Sequence, residues 1–158
     1  MQANSYVLVL HDIRSAQNVG SLFRSSDALG VSKIYLSNIT PCPVDRFGRD
    51  RSDIAKTALG AEKNIPWEQY QDIFELIKDL KSQGFSIVGI EQAEGSVDYK
   101  SFQKSEKIVF VLGNEVEGLS KEILKHMDTI IEIPMRGQKE SLNVSVAGPV
   151  AMFRILDN

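Results

Sequence analysis

Hydrophobic residues fall into five short segments, each long enough for a β-strand. They are Tyr6–Leu10, Lys33–Leu36, Phe85–Ile90, Ile108–Leu112 and Thr129–Ile133. Within these segments the apolar residues run nearly without interruption instead of alternating with polar ones. Such a pattern indicates strands in a sheet that is covered on both faces.

The segments between the strands carry a helical spacing of apolar residues. One helix is predicted to end at Gly30 and another to be stopped by Gly84, while Ser120 is expected to cap a shorter helix that turns Ile123 and Leu124 inward. The first two apolar stripes consist of Val19, Leu22, Phe23, Ser26 and Leu29, and of Ile73, Leu76, Ile77 and Leu80. Alternating strands and helices predict an α/β fold, with a mostly parallel sheet and helices on both faces.

Two polar segments interrupt this alternation. Residues 38–51 hold two prolines, one glycine and three arginines, which predicts a long surface loop before a short helix near Ser52–Leu59. Residues 134–142 form a second polar loop between a strand and the C-terminal helix. Long loops in compact domains are often functional, so both are candidates for binding.

Length and composition indicate an ordinary globular domain. The 158 residues, 42% hydrophobic and 25% charged, predict a single domain over residues 1–158 and exclude a disordered or fibrous chain. The longest apolar runs are too short to cross a bilayer, which needs about 20 residues. The N-terminus lacks the features of a secretion signal, and the single Cys42 fits a reducing cytoplasm. With a net charge of −3, any nucleic-acid site must be local.

Several common functional motifs are absent from the sequence. It contains neither a Gly-x-Gly-x-x-Gly fingerprint nor a phosphate-binding P-loop. With one cysteine and two widely spaced histidines, a thiolate or imidazole metal site is not expected. We interpret His11 and His126 as structural or solvated residues rather than as ligands, and no motif supports a Ser or Cys nucleophile with a His base.

Three polar clusters follow predicted strands, at the edge where ligands gather in α/β sheets. They are residues 11–24, 112–120 and 133–147. Each also has a purely structural interpretation. Asn18 could cap a helix that exposes Arg24, Gly113 and Gly118 could form an ordinary turn, and Ser141 or Asn143 could cap the last helix.

The order of these clusters closely resembles the three motifs of SpoU-type (TrmH-like) RNA ribose 2′-O-methyltransferases, in the SPOUT superfamily. Residues 18–24 match the first motif, and residues 112–119, with Gly-Asn-Glu, match the second. The third and most specific match is Ile-Pro-Met followed by Ser-Leu-Asn-Val-Ser-Val-Ala. The resemblance covers essentially the whole chain.

The resemblance implies a deep C-terminal trefoil knot, S-adenosylmethionine bound in that knot, and an obligate homodimer. The positions that match the family's active site are Asn18, Arg24, Glu115, Ser141 and Asn143. Those that match its cofactor-binding residues are Ile90, Leu112, Gly113, Ile133, Met135 and Leu142. Knots are rare in proteins, so the apolar pattern alone would argue against one.

The chemistry of ribose methylation gives these residues candidate roles. The hydroxyl must lose a proton as it attacks the methyl group, which calls for positioned polar groups rather than a metal. Arg24 is a base assisted by substrate phosphate, or an electrostatic clamp on phosphate and ribose, since arginine rarely gives up its proton. Glu115 would orient Arg24 or Asn18. Ser141 and Asn143 would fix the loop around the cofactor and the incoming nucleotide.

The chain also departs from the family pattern. Pro149 lies inside the last predicted helix, where it predicts a kink that affects the dimer interface. We expect no separate RNA-binding domain, so RNA would contact the dimer surface. The candidate contacts are Arg14, Arg46, Arg49, Arg51 and Lys56, together with Lys63. Interspersed acidic residues leave open the alternative that these cations form a solvated surface.

The sequence therefore predicts a cytoplasmic enzyme that methylates a ribose 2′-hydroxyl in structured RNA, with tRNA favoured over rRNA. One alternative is a catalytically silent RNA-binding dimer of the same fold. Another is an unrelated α/β enzyme that acts on a small molecule, which the absence of other nucleotide-binding motifs disfavours.

Overall fold

A computed structural model describes residues 3–158 and contains one seven-stranded sheet in which all the strand pairs are parallel. The strands lie in the order β3-β2-β1-β6-β4-β7-β5. Their bounds are β1 Ser5–Leu10, β2 Lys33–Ser37, β3 Trp67–Tyr70, β4 Ser86–Ile90, β5 Val97–Asp98, β6 Lys107–Leu112 and β7 Thr129–Glu132. The predicted parallel α/β fold is confirmed.

Helices cover both faces of this sheet, as predicted. Their bounds are α1 Ala16–Leu29, α2 Ser52–Ala58, α3 Ala61–Asn64, α4 Ile73–Ser82, α5 Lys121–Leu124 and α6 Val144–Leu156, with a short 3-10 helix at Tyr99–Ser101. Alternate residues of the strands face opposite sides, so Leu8 and Phe110 pack with α1 and α6, whereas Val9 and Val109 pack with α4 and α5. None of the described helices is long and apolar enough to cross a membrane.

The ends of the helices agree with the sequence at three places and differ at one. Gly30, with φ of 71°, ends α1, and Ser120 caps α5 by accepting a hydrogen bond from the Ile123 amide. However, the N-cap of α1 is Ser15 rather than Asn18. As predicted, Gly84 stops helix α4, which ends at Ser82, because Gly84 lies in the left-handed conformation just after the C-cap residue Gln83.

Helix α6 runs from Val144 to Leu156 through Pro149. The proline takes one amide out of the helical ladder, but the helix is not interrupted there. Gly148 brings α6 close to β6, because a Cβ atom at this position would lie 2.7 Å from a methyl carbon of Leu112. The predicted kink at Pro149 stays a prediction.

Two β-strands were not predicted. Strand β3 joins the edge of the sheet beside β2 and reads Trp-Glu-Gln-Tyr, with two polar residues exposed in its middle. Strand β5 has only two residues, both exposed, and pairs with β7. Both strands lack the continuous apolar run that marks the buried strands.

Candidate active site

A cleft of about 430 Å³ opens where strands β4, β6 and β7 end. Its walls come from residues 90–92 and 112–118, from the segment that follows β7, and from the start of α6. Both apolar side chains and carboxylates are part of the lining. A cleft of this size suits a small ligand that has both an apolar and a charged part.

The residues matched to cofactor binding all meet in this cleft. Its lining includes Ile90, Leu112, Gly113, Ile133, Met135 and Leu142. Three of the five residues matched to the active site, Glu115, Ser141 and Asn143, also line it. Asn18 contacts the cleft indirectly through Glu115, and Arg24 lies elsewhere on the chain.

Glu115 links the cleft to the start of α1. Its Oε1 accepts hydrogen bonds from the Ser15 amide at 3.1 Å and from the Asn18 side-chain amide at 3.2 Å. Its Oε2 accepts one from the Arg14 amide at 3.2 Å. Of the two partners that the sequence offered for Glu115, Asn18 is therefore the one it contacts within the chain.

These hydrogen bonds decide the charge state of Glu115. Partial burial raises the pKa of its carboxyl group, but hydrogen bonds from its own amide, Ser15, Arg14 and Asn18 outweigh that effect. The net result is a pKa below the usual range, because donors stabilise the charged form. Glu115 is thus a carboxylate at neutral pH.

Asn114 fixes the turn that carries Glu115. Its Nδ2 donates to the Asp12 carbonyl at 2.8 Å, and its Oδ1 accepts hydrogen bonds from the amides of Val116 and Glu117. Asp12 has φ of 56°, a conformation that few side chains other than Asn and Asp adopt. The first and second polar clusters are therefore held together by both Asn114 and Glu115.

Glycine is required at two positions of this turn. A Cβ atom at Gly113 would lie 2.6 Å from the carbonyl carbon of Gly118, so the backbone would have to move. Gly118 has φ of 66° and packs against the carboxylate of Glu91, whose Oε2 accepts a hydrogen bond from the Leu119 amide at 3.0 Å. Glycine is therefore required at position 113 by close packing within the turn, in addition to any approach of the backbone to a ligand.

Asn143, and not Ser141, caps helix α6. Its Oδ1 accepts hydrogen bonds from the Ser145 amide at 2.8 Å and from the Ser145 hydroxyl at 2.7 Å. Ser141 lies exposed in the preceding loop and is part of the cleft lining. Asn143 therefore caps the last helix, as the structural interpretation held, and it lines the cleft as well.

Carboxylates dominate the polar lining of the cleft. They belong to Glu91, Glu115, Glu117, Glu132 and Glu140, and no Lys or Arg is part of the described lining. The resulting negative potential favours a cationic ligand. Of these carboxylates, only Glu115 was given a role from the sequence. Glu91 was missed, although it directly follows the apolar strand β4, which is the signal that marked the other clusters.

Arg24 occupies a separate surface depression. It lies on the exposed side of α1, and the depression is also lined by Ser21, Ser25, Ala28, Lys56, Thr57, Leu59 and Phe153. Within a single chain Asn18 and Arg24, which both match the family's active site, do not face one pocket. Six residues of helix place two side chains about 120° apart, so only Asn18 faces Glu115.

The candidate RNA-binding residues differ in their partners. Three are paired with acidic residues: Arg49 with Asp45 at 2.9 Å, Arg51 with Asp53 at 2.6 Å, and Lys63 with Asp50 at 3.1 Å. Arg14, Arg46 and Lys56 are exposed and form no ion pair with any residue of the described range 3–158. The alternative that these cations form a solvated surface therefore fits the three paired residues better than the three unpaired ones.

Both histidines have structural neighbours outside the cleft. His11 Nδ1 lies 2.7 Å from the Tyr70 hydroxyl, and His126 meets the ring of Phe74 edge-on. Burial lowers the pKa of His11, although the carboxylate of Asp12 partly offsets this effect. Within residues 3–158 no group of three or more His, Cys, Asp or Glu side chains is arranged to hold a metal ion.

Comparison with known proteins identifies the family. The model described as the SpoU rRNA Methylase family matches residues 5–153, which is nearly the whole chain. The chain belongs to the SpoU rRNA methylase family. The resemblance found in its three polar clusters is thereby confirmed.

Named relatives of this SpoU family member come from staphylococci. A protein assigned to the TrmH family of tRNA/rRNA methyltransferases in Staphylococcus saprophyticus is 34% identical over 151 residues, which cover 96% of this chain. A Staphylococcus aureus protein of the same description is 31% identical over the same length. In each case the chain spans only 58% of the relative's own length.

Solved structures of the same family superpose closely on this SpoU chain. An AdoMet-bound rRNA methyltransferase from Sinorhizobium meliloti is 28% identical, with a TM-score of 0.85 over 97% of this chain and 56% of its own. A TrmH/SpoU tRNA modifying enzyme from A. aeolicus is 26% identical, with a TM-score of 0.82 over 99% of this chain and 75% of its own.

Proposed function

We propose that this chain methylates RNA, transferring the methyl group of S-adenosylmethionine to a ribose 2′-hydroxyl, with tRNA favoured over rRNA as the substrate. The observation that carries the proposal is the cleft at the ends of β4, β6 and β7, where the third polar cluster meets the Gly-Asn-Glu turn. Family membership and the AdoMet-bound relative from S. meliloti support it.

The cleft suits S-adenosylmethionine in both shape and charge. That molecule combines an apolar adenine with a positively charged sulfonium, from which the methyl group departs. Ile133, Met135 and Leu142 offer apolar surface for the adenine, and the carboxylates around them favour the cation. Leu112 and Gly113, at the end of β6, complete this lining.

The chain's own residues would prepare the ribose for attack. Glu115, held as a carboxylate, orients the side-chain amide of Asn18, whose remaining hydrogen-bonding groups can fix the nucleotide. Ser141 and Asn143 also line the cleft and would restrict the position of the incoming nucleotide. Close alignment of the hydroxyl with the methyl group contributes much of the rate in such transfers.

Arg24 would enter the active site from a second subunit. In its own chain it lies outside the cleft, whose described lining has no cation to neutralise substrate phosphate. Val146, Val150 and Phe153 form an exposed apolar stripe along α6, from the cleft side of that helix to the depression that contains Arg24. Pairing of two chains through this stripe would cover it and bring an Arg24 toward each cleft.

We also infer the deep trefoil knot at the C-terminus and one methyltransferase domain over the chain. The segment after β7 turns back to place α6 against α1, β4 and β6, which supports a threaded path for residues 133–156. The close superposition on SpoU structures supports the same path. A backbone trace in experimental electron density tests it directly.

Methyl transfer to RNA tests the proposed function. RNA from cells that lack the gene is incubated with the purified protein and S-adenosylmethionine with a labelled methyl group, and then digested to nucleosides. We expect label in a 2′-O-methyl nucleoside of the tRNA fraction. Label in a methylated base, or binding of RNA without any transfer, would contradict the proposal, and the second result would favour the silent RNA-binding dimer.

A further inference from the structure

An exposed aromatic ring stands at the tip of the loop between β2 and α2. Phe47 is 66% exposed, more than any other phenylalanine among residues 3–158. The guanidinium carbons of Arg46 and Arg49 lie 4.8 and 5.0 Å from the centre of its ring. The loop thus presents one aromatic surface together with two planar cations.

The conformation of this loop is fixed before any ligand binds. Asp45 Oδ1 accepts hydrogen bonds from the amides of Phe47 and Arg49, and its own amide donates to the Arg49 carbonyl. Gly48 turns the chain with φ of 77°, and Val44 pairs with Asp50 in an antiparallel bridge. Little conformational entropy therefore remains to be lost when a ligand contacts the ring.

The same loop is anchored beside the Glu115 turn. At its start, Thr40 Oγ1 accepts a hydrogen bond from the Ile13 amide at 3.0 Å. Ile13 directly precedes Arg14 and Ser15, whose amides bind Glu115. The loop that carries Phe47 thus starts at the same edge of the sheet as the cleft, and we infer that one RNA molecule can contact both.

Arg46 and Arg49 differ in how much charge they can offer a ligand. Arg49 is paired with Asp45, whereas Arg46 has no acidic partner among residues 3–158. A free guanidinium beside an exposed ring matches the chemistry of nucleic acid, since it can contact a phosphate while a base stacks on the ring. An apolar protein partner would gain nothing from the free charge.

We propose that Phe47 is a stacking site for an unpaired base of the RNA substrate, with Arg46 on a neighbouring phosphate. The proposal rests on the proposed function and deepens it, because bases inside a duplex are already stacked and only an unpaired base can reach the ring. The enzyme would therefore recognise a loop or a single-stranded segment of a folded RNA.

Binding and kinetics of Phe47 variants test the stacking site. Phe47→Leu keeps an apolar side chain without a ring, Phe47→Trp keeps a ring, and Phe74→Leu is a control at an exposed aromatic on α4. In the methylation assay we expect Phe47→Leu to raise KM for RNA roughly 10-fold. Its kcat and cofactor affinity should stay within about twofold of wild type, as should all constants of the other two variants.

A direct binding assay separates this proposal from the proposed function. A labelled 12-nucleotide RNA single strand and the duplex of the same sequence are titrated with each protein. We expect wild type to prefer the single strand, Phe47→Leu to lose roughly 10-fold in affinity for it, and Arg46→Gln to reduce the salt dependence by about one counterion. Fluorescence of Phe47→Trp in a Trp67→Phe background should be quenched by the single strand.

The outcomes distinguish the two proposals. Unchanged RNA binding and KM in Phe47→Leu, equal binding of duplex and single strand by wild type, or an equal loss in Phe47→Trp would each overturn the stacking site. If Phe47→Leu instead lost binding to a protein while its RNA binding stayed intact, the loop would be a protein-docking surface, and this result would overturn the stacking site as well. A different result would separate the two proposals. If the affinity for the single strand depends on Phe47 but no methyl group is transferred, the stacking site stands and the enzymatic activity is refuted.

Discussion

The side-chain amide of Asn18 donates a hydrogen bond to Glu115 across 97 residues of chain, at 3.2 Å. The contact joins the start of α1 to the turn after β6, the two segments that follow neighbouring strands of the sheet. Glu115 accepts two further hydrogen bonds from backbone amides at the same place. One carboxylate therefore sets the position of the first polar cluster relative to the cleft.

Substitution of Glu115 tests this arrangement. Glu115→Gln retains one acceptor oxygen but loses the charge, and we expect kcat for methyl transfer to fall roughly 10-fold to 100-fold, equivalent to about 1.4 to 2.7 kcal/mol. The matched control is Glu117→Gln, which removes the same charge from the same cleft without a hydrogen bond to Asn18. Equal losses in both variants, measured at saturating substrates, would assign the effect to charge alone.

Arg24 should matter for catalysis and not for cofactor binding. We expect Arg24→Ala to lower the single-turnover rate by orders of magnitude while calorimetry shows nearly unchanged affinity for S-adenosylmethionine, because Arg24 lies outside the cleft of its own chain. Arg24→Lys should rescue poorly, because lysine lacks the planar fork. Wild-type turnover by Arg24→Ala would refute a catalytic role.

A mixture of two inactive variants tests whether Arg24 acts across subunits. Coexpression of Arg24→Ala with Glu115→Ala chains gives mixed dimers in which one cleft combines an intact Glu115 with the partner chain's intact arginine. We expect recovery of roughly a quarter of wild-type activity, since half of the dimers are mixed and each has one complete site. If Arg24 acts within its own chain, both sites of the mixed dimer remain defective and no activity returns.

The apolar stripe on α6 predicts the assembly state. We expect a dimer of 17.6 kDa chains by sedimentation at micromolar concentration. Val150→Lys introduces a charge into the stripe and should shift the species toward monomer with loss of methyl transfer. The exposed Ile39→Lys is a control away from the stripe and should leave the dimer unchanged. A wild-type monomer with full activity would contradict the two-subunit site.

A methyl group at Gly113 should disturb both folding and ligand binding. In Gly113→Ala the new Cβ meets the backbone of Gly118 and Leu119, so we expect a loss of about 1–3 kcal/mol in the free energy of unfolding and weaker cofactor binding. Gly137→Ala is the matched control, because its Cβ would have no neighbour within 4 Å. Both variants are compared by chemical denaturation and by calorimetry. Equal free energies of unfolding and equal cofactor affinities would contradict the close packing of Gly113 against Gly118.

Titration of His11 should make stability depend on pH in a defined direction. Folding lowers the pKa of His11 below its ordinary value of 6.5, so the unfolded chain takes up a proton first as the pH falls. Stability should therefore be greatest above pH 6.5, decline as the pH falls toward the folded-state pKa, and then level off. His11→Gln should remove this part of the pH dependence in denaturation curves, whereas an unchanged curve would assign it to other groups.

The buried half of the fold could be predicted from the sequence because burial leaves a pattern. Strands β1 and β6 lie at the centre of the sheet, where both faces are covered, and their apolar runs are continuous. Strand β3 is an edge strand whose polar middle has no such pattern, so it was missed. The order of the strands could not be predicted either, because nothing in the sequence near β1 indicates that β6 lies beside it.

The candidate site was predictable in its parts but not in its assembly. The resemblance supplied the residues of the cleft, yet it left open whether Glu115 contacts Asn18 or Arg24, and only three-dimensional placement resolves that choice within the chain. The choice of helix cap depended on single hydrogen bonds, which is why Asn143 and Ser141 looked equivalent. Carboxylates such as Glu132 gave no sequence signal because acidic residues are common on surfaces.

The division of the cleft lining along the chain has a consequence during protein synthesis. All residues that line the cleft lie between positions 90 and 147, and Glu115 must also meet residues 14–18, which leave the ribosome much earlier. Strands β1 and β2, with α1 between them, can pair early, but the walls of the cleft come together only after residue 147 has emerged from the ribosome. A nascent chain shorter than this therefore lacks the complete cleft, and the contacts of Glu115 with residues 14–18 form late because they join distant parts of the chain.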